Sequence, residues 1–324
     1  MMTAFEADGS AAAAFFKAPI PIHDEPEMHH LRARVLATWP AGTFVENIHA
    51  RADGSMLVSV HSASELHRWR EGQGVDVFAR LPAPPAAINA HPDGGVIVVG
   101  GSVGTGPQFV WHVDDRGSVR EIARVSDALF FNGATRFFPR HLLVAEAILG
   151  RIYHIDLATG ASSVWLAHHL LAKITTEVML PGVNGIKIFG RHVYVTNTDR
   201  ALFLRIGIDE RGLPGPIEIL AEQLRADDFA FDCDGNAYLT THIHNSLLRL
   251  TPGGARVNVA GADDGMAGST AVAFGVDPGS QNYAFVTSTG GVLAPIDGIV
   301  QPAKLIRVDV GSTGLPITDL PLEP

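Results

Sequence analysis

The 324-residue chain has a single cysteine, Cys233, so no disulfide within the chain is possible. That cysteine sits in Phe231-Asp232-Cys233-Asp234-Gly235, just before a turn, and reads as a reduced, partly buried thiol. Charge is sparse at 18%, and Lys and Arg form no basic run in a chain of net charge −10. Binding to a phosphate backbone needs clustered cations, so nucleic acid is excluded as an expected partner. No apolar stretch reaches the ~18 residues of a membrane span. The segment Met1–Phe16 carries Glu6 and Asp8 and lacks a basic stretch followed by an apolar one, so it is a poor signal peptide and a cytoplasmic location is expected. There is no Asn-x-Ser/Thr sequon. The run Gly101-Ser102-Val103-Gly104-Thr105-Gly106 has no following Lys and opens no helical pattern, so it is not a phosphate loop.

What is present is turn-rich and β-rich: 34 Gly, 20 Pro and 46% hydrophobic residues. One pattern recurs six times: a polar residue opening a short strand, a turn, an apolar strand, and a third strand. The second strands are expected at 56–60, 96–100, 142–146, 193–197, 237–241 and 284–288. Asp53-Gly54, Asp93-Gly94 and Asp234-Gly235 supply hairpin turns. Fourth strands follow five of the repeats but not the last, and a spare strand at 34–39 precedes the first. A circular array closes in this way, by lending an N-terminal strand to its last blade. The expected fold is all-β: a six-bladed β-propeller of four-stranded blades at 34–310, with an N-terminal arm at 1–33 and a C-terminal tail at 311–324.

Aligned on the residue that opens each first strand, the repeats give Glu46, Asn89, Asn132, Asn184, Asp228 and Thr270, spaced by 43, 43, 52, 44 and 42. First strands line the axis of a propeller, so these six side chains are expected to converge. All six present an oxygen, and two are carboxylates. Such a set suits a hard divalent cation, calcium first, with magnesium, manganese or zinc as alternatives; no organic cofactor is indicated. The alternative is a set of polar groups that merely solvates a channel.

The stretches Val45-Glu46-Asn47-Ile48, Phe131-Asn132-Gly133, Val183-Asn184-Gly185-Ile186 and Asp227-Asp228-Phe229-Ala230-Phe231-Asp232 occur in an order and spacing that resembles the senescence-marker-protein, gluconolactonase and luciferin-regenerating-enzyme family of six-bladed propellers. The resemblance implies Glu46, Asn184 and Asp228 as metal ligands, Asn132 as a substrate-side residue, and Asp228 as general base in lactone hydrolysis. Phe130 and Phe131 stand where sugar-lactone members carry a cationic residue, and Phe229 stands where a Gly is usual. Both changes point to an apolar small-molecule substrate, with Asn89, Asn132, Phe130, Phe131, Phe229 and Thr270 as its expected contacts. The stretches 46–54, 184–188, 227–238 and 271–275 resemble a fungal secondary-metabolism branch that includes hetero-Diels-Alderases joining a quinone-methide-like partner to a terpene.

Three functions therefore stand at this stage. The first is cation-assisted hydrolysis of a lactone or ester. The second is cyclisation of two apolar partners in the same pocket, walled in part by Phe44. The third is a non-catalytic binding propeller. The 132–184 interval is longer than its neighbours by about nine residues, and its apolar segment 169–183 reads as a lid or a packed loop. His242-Ile243-His244 reads as a solvated strand end, with a paired-ligand role as the alternative.

Overall fold

Six four-stranded antiparallel sheets make up the chain, in a computed structural model that describes residues 23–175 and 180–315. Blade one is Val45–Ala50, Met56–Val60, Glu65–Arg70 and Gly74–Arg80. Blade two is Pro85–Ala90, Val96–Gly100, Gln108–Val113 and Val119–Val125. Blade three is Phe131–Arg136, His141–Glu146, Arg151–Asp156 and Ser162–Ala167. Blade four is Val183–Phe189, His192–Asn197, Leu202–Ile208 and Pro214–Ala221. Blade five is Phe229–Phe231, Ala237–Thr240, Leu247–Leu250 and Arg256–Ala260. Blade six is Ser269–Phe274, Tyr283–Ser288 and Pro302–Asp309, and its outer strand is the N-terminal Ala33–Ala41, paired from Ala33 with Val308 to Ala41 with Pro302. The six-bladed fold is as the repeats foretold, closing strand included.

The second strands present apolar residues to both faces, whereas the outer strands keep exposed positions. The second strands are completely buried in blades one and two, as Met-Leu-Val-Ser-Val and Val-Ile-Val-Val-Gly show. A blade sandwiched between two neighbours has no solvent face, so its strands lose the usual polar alternation. Six apolar clusters result, one at each junction between blades. The junction of blades six and one packs Trp39, Ala271 and Phe285 against Val45, Val58 and Trp69. Closure is therefore a sixth core of the same kind as the other five, so the ring lacks a weak seam.

A bulge opens the inner strands. In blade one Val45 pairs with Val60 and Ile48 with Val58, three steps against two. The same count holds from Pro85 to Ile88, from Phe131 to Ala134, from Val183 to Ile186, and from Ser269 to Val272. Each places one extra residue beside the axis. Hydroxyls stitch these bulges to the next blade. Ser59 Oγ accepts from Asn47 N–H (2.8 Å) and donates to the Ala86 carbonyl (2.8 Å). Thr196 Oγ1 accepts from Gly185 N–H (2.8 Å) and donates to the Asp227 carbonyl (2.7 Å). Thr240 Oγ1 accepts from Asp228 N–H (3.1 Å) and donates to the Thr270 carbonyl (2.8 Å). The backbones approach so closely that a β-carbon on Gly133 would lie 2.2 Å from the Asn184 carbonyl oxygen.

Outside the blades, the arm runs beside blade five, with His29 N–H donating to Asn258 O (2.8 Å) and Leu31 N–H to Val259 O (2.8 Å). Leu171 and Leu180 of the long interval are buried and Asp199 holds the N–H groups of Ile174 and Thr175, so the described part of that segment is a packed loop. Its stretch 176–179, which includes Met179, lies outside the described residues. Cys233 is exposed, not partly buried, because its hairpin faces outward. No helix of the described residues is long and apolar enough to cross a membrane.

Two stability outcomes follow. Burial, with Arg51 nearby, lowers the His49 imidazole to about 4, and burial lowers His91 to about 4 as well. The unfolded chain takes up these protons below about 6.5, so the neutral rings favour the fold above that pH and the benefit fades between about 6.5 and 4, by up to about 3 kcal/mol for His49 and by less for the better-solvated His91. The raised Glu46 and Asp228 carboxyls act in the opposite sense, so the check is a comparison: lowering pH from 7 to 5 is expected to cost the native chain more urea midpoint than it costs His49→Gln, and an equal change in both would contradict a buried neutral His49 ring. Gly133→Ala is expected to lower stability by about 1–3 kcal/mol through overpacking at the Asn184 carbonyl, read by thermal melting.

Candidate functional site

The stitches fix which side chains share a level at the axis. The residue after the start of each inner strand is Glu46, Ala86, Asn132, Asn184 and Thr270 in blades one, two, three, four and six. In blade five Phe229 pairs with Leu239, and the carbonyl that receives the neighbouring hydroxyl is that of Asp227. Asp227, not Asp228, therefore takes the level of Glu46 and Asn184. Asp228 follows it, its N–H meeting Thr240 Oγ1 as that of Asn47 meets Ser59 Oγ. Likewise Ala86, not Asn89, occupies the blade-two position. Asn89 lies three residues deeper, where its Nδ2 donates to the Ala134 carbonyl (3.1 Å). The repeat spacing missed both corrections because an alignment on polar residues does not see where the extra residue falls.

Glu46, Asn132, Asn184, Asp227 and Asp228 are all buried and converge. Burial raises the Glu46 carboxyl well above its usual range, reinforced by the negative charges of Asp227 and Asp228 and partly offset by the Asn132 amide, which donates to it. Asn184 Nδ2 donates to Asp227 Oδ1 (2.5 Å) and to Thr198 Oγ1 (2.9 Å). Asp227 Oδ2 lies 2.8 Å from His242 Nδ1. Lys187, one blade back from Asp228, places Nζ 2.6 Å from Asp228 Oδ1. Burial still raises the Asp228 carboxyl, although Lys187 pulls it down. Lys187 and His242 were not singled out as partners by the sequence. Lys187 was legible as the fourth residue of an Asn-Gly-Ile-Lys run whose Asn faces the axis.

The other expected contacts divide. Phe130 and Phe44 are half-buried at the rim. Phe131 and Phe229 are fully buried in the junction cores, against Tyr153 and against Phe203 and Phe231, so they are packing residues and not pocket walls. Phe229 meets the site through its backbone N–H, which donates to the Asp228 carboxyl, and through Lys187 Nζ, 5.8 Å from its ring centroid. Thr270 is fully buried with Oγ1 3.0 Å from both the Val45 carbonyl and Thr287 Oγ1, a structural link between blades six and one.

The donor chemistry suits a hard cation. Glu46, Asp227 and Asp228 carry three negative charges when ionised, and Lys187 returns one, leaving the −2 that a divalent ion balances. With their amide nitrogens donating, Asn132 and Asn184 keep their carbonyl oxygens as possible ligands.

A second group of possible donors, His23, Glu25 and His244, lies away from the axis. His23 Nδ1 accepts from Arg225 N–H (3.0 Å), so its ring proton sits on Nε2, 3.8 Å from Glu25 Oε1. Such a ring has no lone pair left for a metal. The stacked His23 and His244 rings, 3.9 Å apart, instead fasten the arm to blade five. His242 and His244 thus face different partners and are not a ligand pair.

No family model matches the chain. It is similar to "Putative hetero-Diels-Alderase asR5" of Sarocladium schorii, 25% identical over 316 residues, covering 79% of this chain and 78% of that protein. It is also similar to "Putative hetero-Diels-Alderase" of a Phoma species, 26% identical over 302 residues, covering 78% of this chain and 86% of that protein. Among solved structures it resembles the calcium-binding protein regucalcin of Agrobacterium tumefaciens at TM-score 0.69 and 19% identity, covering 91% of this chain and 98% of that one. A gluconolactonase of Xanthomonas campestris gives TM-score 0.64 at 14% identity, covering 90% and 96%. The resemblance read from the sequence therefore stands: the chain has the six-bladed propeller architecture of regucalcin and gluconolactonase and is similar in sequence to fungal proteins named as hetero-Diels-Alderases.

Proposed function

We propose that the chain is a natural-product cyclising enzyme, hetero-Diels-Alderase-like, that joins a carbonyl-bearing heterodiene to an alkene at the channel mouth with the help of one divalent cation. The observation that carries this reading is that every carboxylate of the site is already engaged. Asn132 holds Glu46, Asn184 and His242 hold Asp227, and Lys187 holds Asp228. Such partners hold and orient the carboxylates, and a proton taken from water by Asp228 would have to compete with the Lys187 ammonium. A cycloaddition needs no base: one C–C and one C–O bond form, and no atom leaves. The two sequence relatives favour the same chemistry.

Glu46, Asp227 and the Asn184 carbonyl would hold the cation, calcium, magnesium or manganese before zinc, because every donor is oxygen. When bound, a cation there polarises a carbonyl. Asn132 stands beside Glu46 to orient the substrate. Phe44 and Phe130 supply the apolar rim that brings two hydrophobic partners together and lowers the entropic part of the barrier. Hydrolysis of a lactone or ester is the second reading, favoured by the raised Asp228 carboxyl, a property suited to a general base.

Chelator-stripped protein is expected to bind calcium or manganese in calorimetry. Glu46→Gln and Asp227→Asn should each weaken that binding about ten-fold or more, equal to ~1.4 kcal/mol. Asp228→Asn should weaken it less. The reverse order for the two aspartates would sink the assignment of Asp227.

Lys187→Met removes the positive charge competing for the site. It is expected to tighten cation binding, while costing about 1–3 kcal/mol of metal-free stability for a half-exposed partner of a buried carboxylate. Weaker binding would show that Lys187 supports the cation site and does not oppose it.

A product whose mass equals the sum of an enone-type heterodiene and an alkene establishes cyclisation. A gain of one water on a lactone or ester establishes hydrolysis and displaces the first reading.

A further inference from the structure

His242 stands where blade five gives way to blade six. Its backbone lies at φ +33°, in the left-handed region that a β-carbon disfavours. Two backbone bonds hold it there: its N–H donates to Ser269 O (2.9 Å), and its carbonyl accepts from Asn245 N–H (3.2 Å). Its Nδ1 is 2.8 Å from Asp227 Oδ2. A carboxylate only accepts, so Nδ1 carries the proton and the neutral ring keeps its lone pair on Nε2. That Nε2 is buried and has no hydrogen-bond partner among the described residues. The half-buried ring of Phe44 lies 5.9 Å away, centroid to centroid, with its other contact on His61 at the same separation.

A residue kept only to steady Asp227 needs neither a left-handed backbone nor a bare lone pair. Both cost stability, and such costs persist where the exposed chemistry is used. We propose that His242 Nε2 accepts a hydrogen bond from a hydroxyl of the substrate, and that Phe44 covers this acceptor until the substrate displaces it. The inference rests on the channel-mouth site proposed above and narrows its substrate class: a heterodiene partner that also carries a phenol or enol hydroxyl, whose O–H is a strong donor on a flat apolar frame that suits the Phe44 ring. Asp227 then has two duties. One oxygen faces Asn184, and the other fixes the tautomer of His242.

The test reads His242 in the full chain without added cation, so its result is independent of cation binding. Nitrogen-15 spectra of histidine-labelled protein, assigned with His242→Gln, are expected to show Nε2 unprotonated in the neutral ring. Carbethoxylation by diethyl pyrocarbonate, mapped by mass spectrometry and needing no His242 variant, is expected to be slow at His242 in the native chain and faster in Phe44→Ala. In Phe44→Ala, phenol should shift the Nε2 resonance and slow the labelling, whereas anisole, which lacks the donor, should do neither. A proton on Nε2 in the neutral ring, equal labelling with and without Phe44, or the same response to phenol and anisole would each overturn the proposal. Cation binding that fails while these results hold would remove the cation reading alone.

Discussion

The hydroxyl stitch between neighbouring inner strands is the interaction on which the site depends. Ser59, Thr196 and Thr240 each take an N–H from the bulge of their own blade and give their proton to a carbonyl of the next. Each stitch satisfies two backbone groups at the channel mouth, where no sheet partner exists. It also sets the distance between consecutive blades at the level of the functional side chains. Glu46, Asn184 and Asp227 sit on or beside these stitched residues, so their placement derives from backbone hydrogen bonds and not from flexible loops. Gly133 and Gly185 leave room for this approach, since a β-carbon on Gly185 would lie 2.8 Å from the Asp227 carbonyl oxygen.

That rigidity lets the chain hold three acids together. Like charges in a buried site repel, and desolvation penalises each of them. The chain answers with a different partner for each: an amide for Glu46, an amide and an imidazole for Asp227, an ammonium for Asp228. Only one of those partners carries a fixed positive charge. The remainder is an electrostatic demand that protonation of Glu46 or a bound cation can meet, and the raised Glu46 carboxyl shows the first route. Under the proposed reading the cation is the second, and the two compete.

The blades, their order and the closing strand were legible because each second strand is a largely apolar run and because a strand was missing at one end and spare at the other. Glu46, Asn132 and Asn184 were legible because they open strands at nearly equal spacing. Asp227 was not, since two adjacent aspartates satisfy the same spacing and only the bulge decides between them. Asn89 was chosen because a polar residue was sought in every blade, whereas blade two has Ala86 at the ring. Phe131 and Phe229 looked like rim residues because they neighbour the site in sequence. In a strand, neighbours point to opposite faces, and here the opposite face is a junction core. His242 was hidden for another reason: its partner Asp227 lies fifteen residues away across a turn, with no periodic pattern linking them.

The contrast between hydrolysis and cyclisation then narrows to what reaches His242 and Asp228. Both reactions gain from a polarised carbonyl, and the axial ring serves either. Hydrolysis further requires a water molecule beside a free base. Here His242 Nε2, an acceptor without a partner among the described residues, belongs to a ring 5.9 Å from that of Phe44, and Asp228 is tied to Lys187. An apolar ring over the acceptor hinders a lone water but complements a flat substrate that brings its own hydroxyl. On the proposed reading, a covered acceptor and a paired acid favour cyclisation over hydrolysis with the same axial oxygen donors.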